Sequence, residues 1–316
     1  MVGRDLERTA RRAERAGVER SFTALGEALR LPDVDAVSIV TPPDTHAPLV
    51  IEAATAGRHV LCEKPFALSA REAEGMAEAV DKAGVVGLVG HEFRFAPERA
   101  LAGRLLAGGA IGAPRLATFV HYVPLVADPA AAVPPWWWST GRGGGWLGAS
   151  GSHLVDQVRT WLGDIDHVDA TIGSVSDRQA GAEDAFSVLL RMRSGATAVL
   201  QQTAAAWGPM AGMTRVAGTN GTLWIDGDEV WLATAEGVAE VPIPIELDLP
   251  APPPPSDDPR HRFTHLELGP SVRQAECFGQ LILGQPLSPT QPHPATFADG
   301  VACMEVLDRV RTASAS

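Results

Sequence analysis

The apolar and polar positions of the chain follow two rhythms. Up to about residue 92, short apolar runs alternate with longer stretches in which apolar residues recur every three or four positions. The runs at 36–40 (AVSIV), 59–62 (HVLC) and 85–92 (VVGLVGHE) read as strands, and 47–56 and 70–83 as helices closed by Gly57 and Gly84. Residues 5–16 form a further helix, and "SFTALGEAL" opens another with Ser21 or Thr23 as its N-cap. Strands without alternation are covered on both faces, and helical spacers of about 10–15 residues between them indicate right-handed βαβ units in a parallel sheet.

From about residue 114 the pattern becomes long and alternating. "PRLATFVHYV", "HVDATIGSV", "AFSVLLRMRSGATAVLQQT" and "TRVAGTNGTLWIDGDEVWL" are joined by turns such as Ser194-Gly195 and Asn220-Gly221, the mark of hairpins in an antiparallel sheet. Helices are expected at 151–162, 271–283 and 296–312. The expected fold is α/β: a parallel sheet unit over 1–117, then an α+β unit with a large, mostly antiparallel open sheet over 118–316, whose last helix is free to pack back on the first unit. The proline-rich stretch 242–263 is either a spacer or a cover over a site.

A net charge of −12 argues against a nucleic-acid or anionic-membrane partner. The most basic segment, 4–20, interleaves Asp5, Glu7, Glu14 and Glu19 among its arginines, as a solvated helix face does. Three scattered cysteines, Cys62, Cys277 and Cys303, without metal spacing, point to a reducing setting. No signal peptide and no apolar run of about 18 residues is present, so cytoplasm is the expected location.

In "HVLCEKPFALS" a strand stops at a lysine held against a proline. A proline cannot sit inside a central strand, so the strand ends there, at the carboxyl edge where open α/β sheets bind ligands. The stretch "DAVSIVTPPDTHAPLVIEAATAGRHVLCEKPFALSAREAEGM" resembles the glucose–fructose oxidoreductase/inositol dehydrogenase (Gfo/Idh/MocA) family. "GHEFRFAPERALAGRLLAGGAIGAPRLA", "GGGWLGASGSHLVDQVRTWLG" and "VAGTNGTLWIDG" continue the likeness in order over nearly the whole chain. The resemblance implies a Rossmann domain and an NAD(P)-dependent oxidoreductase. It would move a hydride to or from a secondary alcohol or ketone of a sugar, cyclitol or similar small molecule. It also implies a homodimer or homotetramer formed through the open sheet face.

By the same resemblance Lys64 and His153 are the catalytic pair, with Pro65 fixing the lysine's approach, through a cis bond if the turn takes one. Glu63 then orients Lys64 or holds a ribose. Thr41, Pro42 and His46 line the dinucleotide, although Thr-Pro-Pro-Asp is also an ordinary strand-to-helix turn with Asp44 or Thr45 as N-cap. Arg94 either reaches the nicotinamide side or forms a salt bridge. Trp137 and Trp138 wall the substrate pocket or pack against neighbours, and Asp156 is a further pocket residue. The family usually shows Asp-x-x-x-His around His153; here position 149 is Ala149, so the aspartate is missing. His153 and Asp156 are too few to hold a metal, and none is expected.

The family begins with a strand, G-x-G-x-x-G and a helix, the element that binds pyrophosphate. "MVGRDLERTARRAERAG" matches the family's segment after its second strand, so the first βα unit is expected to be absent. Its loss would expose the edge of the 36–40 strand, so a start lying upstream is the favoured explanation. The competing reading is a degenerate, non-catalytic binding or partner subunit. "GRD" offers Arg4 before Asp5 where the second strand would end, which leans to NADP over NAD.

Overall fold

Two sheets divide the strands of the computed structural model, which describes residues 1–178, 181–256 and 261–315. The helices α1 (Leu6–Arg15) and α2 (Leu25–Leu29) come first. Then β1 (Ala36–Ile39), α3 (His46–Thr55), β2 (His59–Cys62), α4 (Ala70–Ala83) and β3 (Gly87–Val89) alternate. The three strands form a parallel sheet in the order β1-β2-β3, with Ile39 opposite Cys62 and Cys62 opposite Val89. Their carboxyl ends are therefore flush, and the turns after them emerge on one edge.

The local chemistry explains the helices. Asp5 caps α1 by accepting the Arg8 N–H at 2.7 Å. At α4 the Ser69 hydroxyl accepts the Glu72 N–H at 3.3 Å while the Glu72 carboxylate accepts the Leu68 N–H at 3.0 Å, and Gly84 ends the helix at φ +64. One expected cap differs, and another holds its position without a side-chain cap bond. Ala24, not Ser21 or Thr23, precedes α2 without a side-chain bond. Thr45 precedes α3, but its hydroxyl donates to the Pro42 carbonyl at 2.7 Å, and Asp44 pairs with Arg142.

A helix the alternation did not suggest, α5 (Pro97–Ala107), leads to β4 (Pro114–Tyr122). After α6 (Ser152–Leu162) come β5 (Ile165–Gly173), β6 (Ala185–Met192), β7 (Thr197–Thr203), β8 (Ala211–Gly218), β9 (Gly221–Asp226), β10 (Glu229–Thr234) and β11 (Gly237–Val241). These eight strands form one sheet, β11-β10-β9-β8-β4-β7-β6-β5, antiparallel except where β4 runs parallel to β7. One face buries Phe119, Leu190, Leu200, Val216 and Leu223. The other carries Leu116, Tyr122, Leu189 and Met213 exposed, the two-faced alternation that an open sheet requires.

The last helices, α7 (Thr264–Ile282) and α8 (Phe297–Ser314), close the molecule. α7 begins at Thr264, earlier than expected, and runs through a buried Pro270. Thr296 and Asp299 cap α8 reciprocally. α8 lies against both α4 and β5, so it bridges the two sheets. Gly300 permits this approach, since a Cβ there would stand 2.6 Å from the Phe66 ring and 2.8 Å from Val89. The proline-rich segment is strapped to its surroundings: Leu247 is buried and Glu246 pairs with Arg104 of α5 at 2.8 Å. Its residues 257–260 lie outside the described residues.

Candidate active site

β2 is the middle strand of its sheet, with Val60 and Cys62 fully buried, so its direction is fixed by neighbours on both sides. The ladder runs one step past it: Glu63 N–H donates to Ile39 O at 2.9 Å and Gly90 N–H to Cys62 O at 2.7 Å. Lys64 comes next, joined to Pro65 by a cis peptide bond. Its Nζ donates to the backbone carbonyl of Ala149 at 3.1 Å. Position 149 thus meets the lysine with its carbonyl oxygen. Ala149 sits in a π-helical turn, Leu147–Gly151, immediately before α6, and Ser152 Oγ steadies this turn by donating to Gly148 O at 2.7 Å.

His153 enters the same space one turn further on. Its ring is 7% exposed, and neither nitrogen has a hydrogen-bond partner. Phe93 and His91 pack around it, with ring centroids at 4.7 and 5.5 Å. Glu92, 5% exposed, places Oε1 3.8 Å from His153 Nε2, and its Oε2 is unpartnered. Strand β3, expected to continue through Glu92, stops at Val89, and a short 3-10 turn, Glu92–Phe95, swings His91 and Glu92 inward.

The electrostatics reflect this burial. Burial, then the charge of Lys64, pushes the His153 imidazole well below the usual histidine range. Burial pushes the Glu92 carboxyl up to about 8, only partly offset by Lys64. Burial likewise raises Glu63 and lowers His91. At neutral pH the Glu92–His153 contact is therefore a carboxylic acid beside a neutral imidazole, not an ion pair.

Several expected site residues also make contacts within the protein. Arg94 forms a bidentate pair with Asp156, at 2.8 and 2.5 Å, and also reaches Asp299 at 3.4 Å and His293 O at 3.1 Å. It ties the turn after β3 to α6 and α8, and both Arg94 and Asp156 also line the cleft along α6. His46 is fully buried, with Nε2 2.7 Å from Thr41 O and Nδ1 3.1 Å from Pro65 O, bracketing the two turns beyond β1 and β2. Thr41 and Pro42 lie on that bracketed turn, with Thr41 Oγ1 2.6 Å from Thr45 Oγ1. Trp137 packs on Trp146 (5.7 Å) and Trp138 under Arg178 (4.7 Å). Trp137 braces the glycine turn at 143–145: its carbonyl accepts the Gly145 N–H at 3.0 Å, and a Cβ on Gly144 would stand 2.4 Å from that oxygen. Arg4 is exposed beside the α1 cap. The sequence pattern singles out neither Glu92 nor His91, although a charged residue just past a parallel strand is the signal that marks Lys64.

A cleft of about 390 Å³ between α5, α6 and residues 289–293 reaches His91 and His153, walled by Phe93, Arg99 and Trp161. No group of His, Cys, Asp and Glu among the described residues is arranged for a metal ion. No helix among them is long and apolar enough to cross a membrane.

A three-stranded parallel sheet thus delivers Lys64 to the turn before the helix that bears His153, beside a large open sheet. Residues 1–91 match a family model described as "Oxidoreductase family, NAD-binding Rossmann fold", and residues 100–224 the GFO/IDH/MocA C-terminal domain. The chain belongs to the GFO/IDH/MocA family. It is 32% identical over 188 residues to levoglucosan dehydrogenase of Pseudarthrobacter phenanthrenivorans, covering 58% of this chain and 48% of that protein. It is 30% identical over 217 residues to myo-inositol 2-dehydrogenase of Thermotoga maritima, covering 67% and 63%. The chain thus spans between about half and just under two thirds of the length of these curated relatives. A solved levoglucosan dehydrogenase in complex with NADH shares its fold, with a TM-score of 0.84 at 24% identity over 99% of this chain and 87% of that one.

The two ends of a dinucleotide site fit differently. At the reacting end, buried and unpartnered atoms of Glu92 and His153 stand beside Lys64, as a ligand bearing hydroxyl and amide groups requires. At the phosphate end, the described residues before β1 supply no glycine-rich strand-to-helix turn, and the α1 N-terminus is closed by the Asp5 carboxylate. Among the described residues β1 pairs only with β2, and Val40 beyond it is 71% exposed.

Proposed function

We propose that this chain is the catalytic body of an NAD(P)-dependent oxidoreductase acting on a secondary alcohol or ketone of a sugar, cyclitol or related small molecule. The observation that carries the reading is the approach of Glu92 to His153 at 3.8 Å, with the charge of Lys64, past the end of β2, acting on both. The dehydrogenase relatives named above support the substrate class. When bound, the nicotinamide supplies hydride exchange at carbon.

The chain's own residues handle the proton. Lys64 Nζ, aimed by the Ala149 carbonyl, keeps further hydrogens for the oxygen of the reacting group. His153 has no protein partner on either nitrogen and is neutral, so it is ready to accept that oxygen's proton. The cleft along α6 has the volume of a small-molecule site and supports approach of a polyol to His153. Asp5, which would hold a ribose hydroxyl, is spent on the α1 cap while Arg4 is exposed, which supports NADP over NAD. The apolar open face, with Leu116, Leu189 and Met213, supports pairing of two copies, and the buried free thiols support a reducing compartment such as the cytoplasm.

Titration of the chain with NADPH and NADH, then assay with a panel of polyols and sugar lactols, tests this. Saturable binding and cofactor reduction are expected. Absence of binding at millimolar concentrations of both nicotinamides overturns the reading for this chain.

A further inference from the structure

We propose that Glu92 is the proton-holding partner of His153, filling with its carboxyl group the role for which the side chain at Ala149 is too short. The inference rests on the oxidoreductase reading above and deepens it. Three observations converge. Glu92 Oε1 is 3.8 Å from His153 Nε2, longer than a hydrogen bond but within reach of a small side-chain rotation. Glu92 Oε2 and both His153 nitrogens are buried without partners, an arrangement a fold does not retain for stability. The carbonyl of Ala149 is occupied by Lys64, and among the described residues Glu92 is the acidic group that stands against the imidazole.

The charged and titratable groups around Glu92 come from every neighbouring element: Lys64 and Glu63 past β2, His153 on α6, His91 in its own turn, Arg99 on α5 and Glu267 on α7. Lys64 favours the carboxylate, whereas burial, Glu63 and Glu267 favour the acid. The balance leaves Glu92 able to change protonation near neutrality, unlike an exposed glutamate.

The step is a proton transfer alone. When His153 has taken a proton from the substrate hydroxyl, its Nε2–H bond breaks, an O–H bond forms on the Glu92 carboxylate, and both groups end neutral. No electrons move between them. In the opposite direction the protonated Glu92 returns the proton through His153 to the oxygen of a ketone. Glu92 thus acts through His153 and is a positioning residue, not one that touches the substrate.

The test needs no cofactor. The ring signals of His153 in the full chain, tracked by NMR from pH 6 to 9.5, should show an inflection that reports ionisation of Glu92. In Glu92→Gln the inflection should vanish, and in Glu92→Asp it should persist at a displaced midpoint, with cooperative unfolding confirming that each variant folds. A second arm measures alcohol oxidation with NADP against pH: the rate should rise as the carboxylate forms, and Glu92→Gln should lose that rise, about ten- to a hundredfold at pH 9. A wild-type chain without the inflection, or a Glu92→Gln variant that keeps it, overturns the proposal. A wild-type chain with the inflection but no turnover with either nicotinamide overturns the oxidoreductase reading and leaves the Glu92–His153 pair supported, so the two failures are distinct.

Discussion

The Lys64 Nζ donates a 3.1 Å hydrogen bond to the carbonyl oxygen of Ala149, joining the end of the parallel sheet to the turn that launches α6. The bond aims the lysine without consuming its other hydrogens. Replacing Lys64 with alanine should therefore cost about 10²–10⁴ in turnover, the usual worth of a positioned proton donor. Stability should fall by only about 1 kcal/mol, the net value of one hydrogen bond. Steady-state kinetics paired with urea unfolding checks this. A large loss of stability with activity intact would show that the lysine is a structural tie.

Arg94 makes the opposite prediction. Its side chain is 9% exposed and that of Asp156 3%, so removing one leaves the other charged and buried. Arg94→Ala should destabilise the fold by about 3–5 kcal/mol, whereas replacing both with well-packed apolar residues should cost much less. Nicotinamide affinity of the folded fraction should stay within about twofold, because the guanidinium is committed to Asp156, Asp299 and His293. Denaturation curves and fluorescence titration separate the two effects.

The same two residues show how far the sequence can be read. The alternation of strands and helices up to β3 and the two-faced strands beyond β4 are legible because burial writes itself into spacing, and the Lys64 turn is legible because a proline marks where a strand must end. Arg94 stays open between ligand contact and salt bridge because its partners lie 62 and 205 positions away, and no local pattern records such a meeting. The bonds of His46 to the carbonyls of Pro65 and Phe66 are hidden for the same reason, since those carbonyls belong to another turn. Glu92 is hidden inside an apparent strand, since the sequence does not say that β3 stops at Val89.

The open face of the large sheet offers a further measurement. Arg215 lies 4.6 Å over the Trp224 ring, which stacks on Trp231 at 6.0 Å, while Leu116 and Met213 stand about half exposed nearby on β4 and β8. A face this apolar is expected to be covered by a second copy. Met213→Glu should shift sedimentation towards the monomer while leaving the unfolding free energy of the monomer within about 0.5 kcal/mol, as surface substitutions do. An unchanged sedimentation coefficient would show that this face is not the contact.

Glu92 also predicts how stability depends on pH. Its folded pKa is raised to about 8 from an ordinary value of 4.5. Between those values the unfolded chain releases the proton and the folded chain keeps it, so the unfolded state binds fewer protons and stability falls as pH rises. The slope is about 1.4 kcal/mol per pH unit for one group, fully developed only between the two pKa values. The stability contributed by the protonated acid is present below about pH 4.5 and lost by the time pH passes about 8. His153 works in the other direction: its folded pKa lies well below 6.5, so it costs stability as pH falls through the acid range. The two slopes oppose each other on the acid side of neutrality, so the share of Glu92 is read from the difference between wild type and Glu92→Gln. Glu92→Gln, which is neutral at every pH, should make the decline above pH 4.5 shallower by the share of Glu92, leaving that of Glu63, Glu98 and Glu183, whose carboxyls burial also raises, and should gain on wild type between pH 5 and pH 8. Urea unfolding of both proteins at pH 5, 6, 7 and 8 measures the difference directly. Parallel curves would mean that Glu92 titrates in the folded chain as it does in the unfolded one.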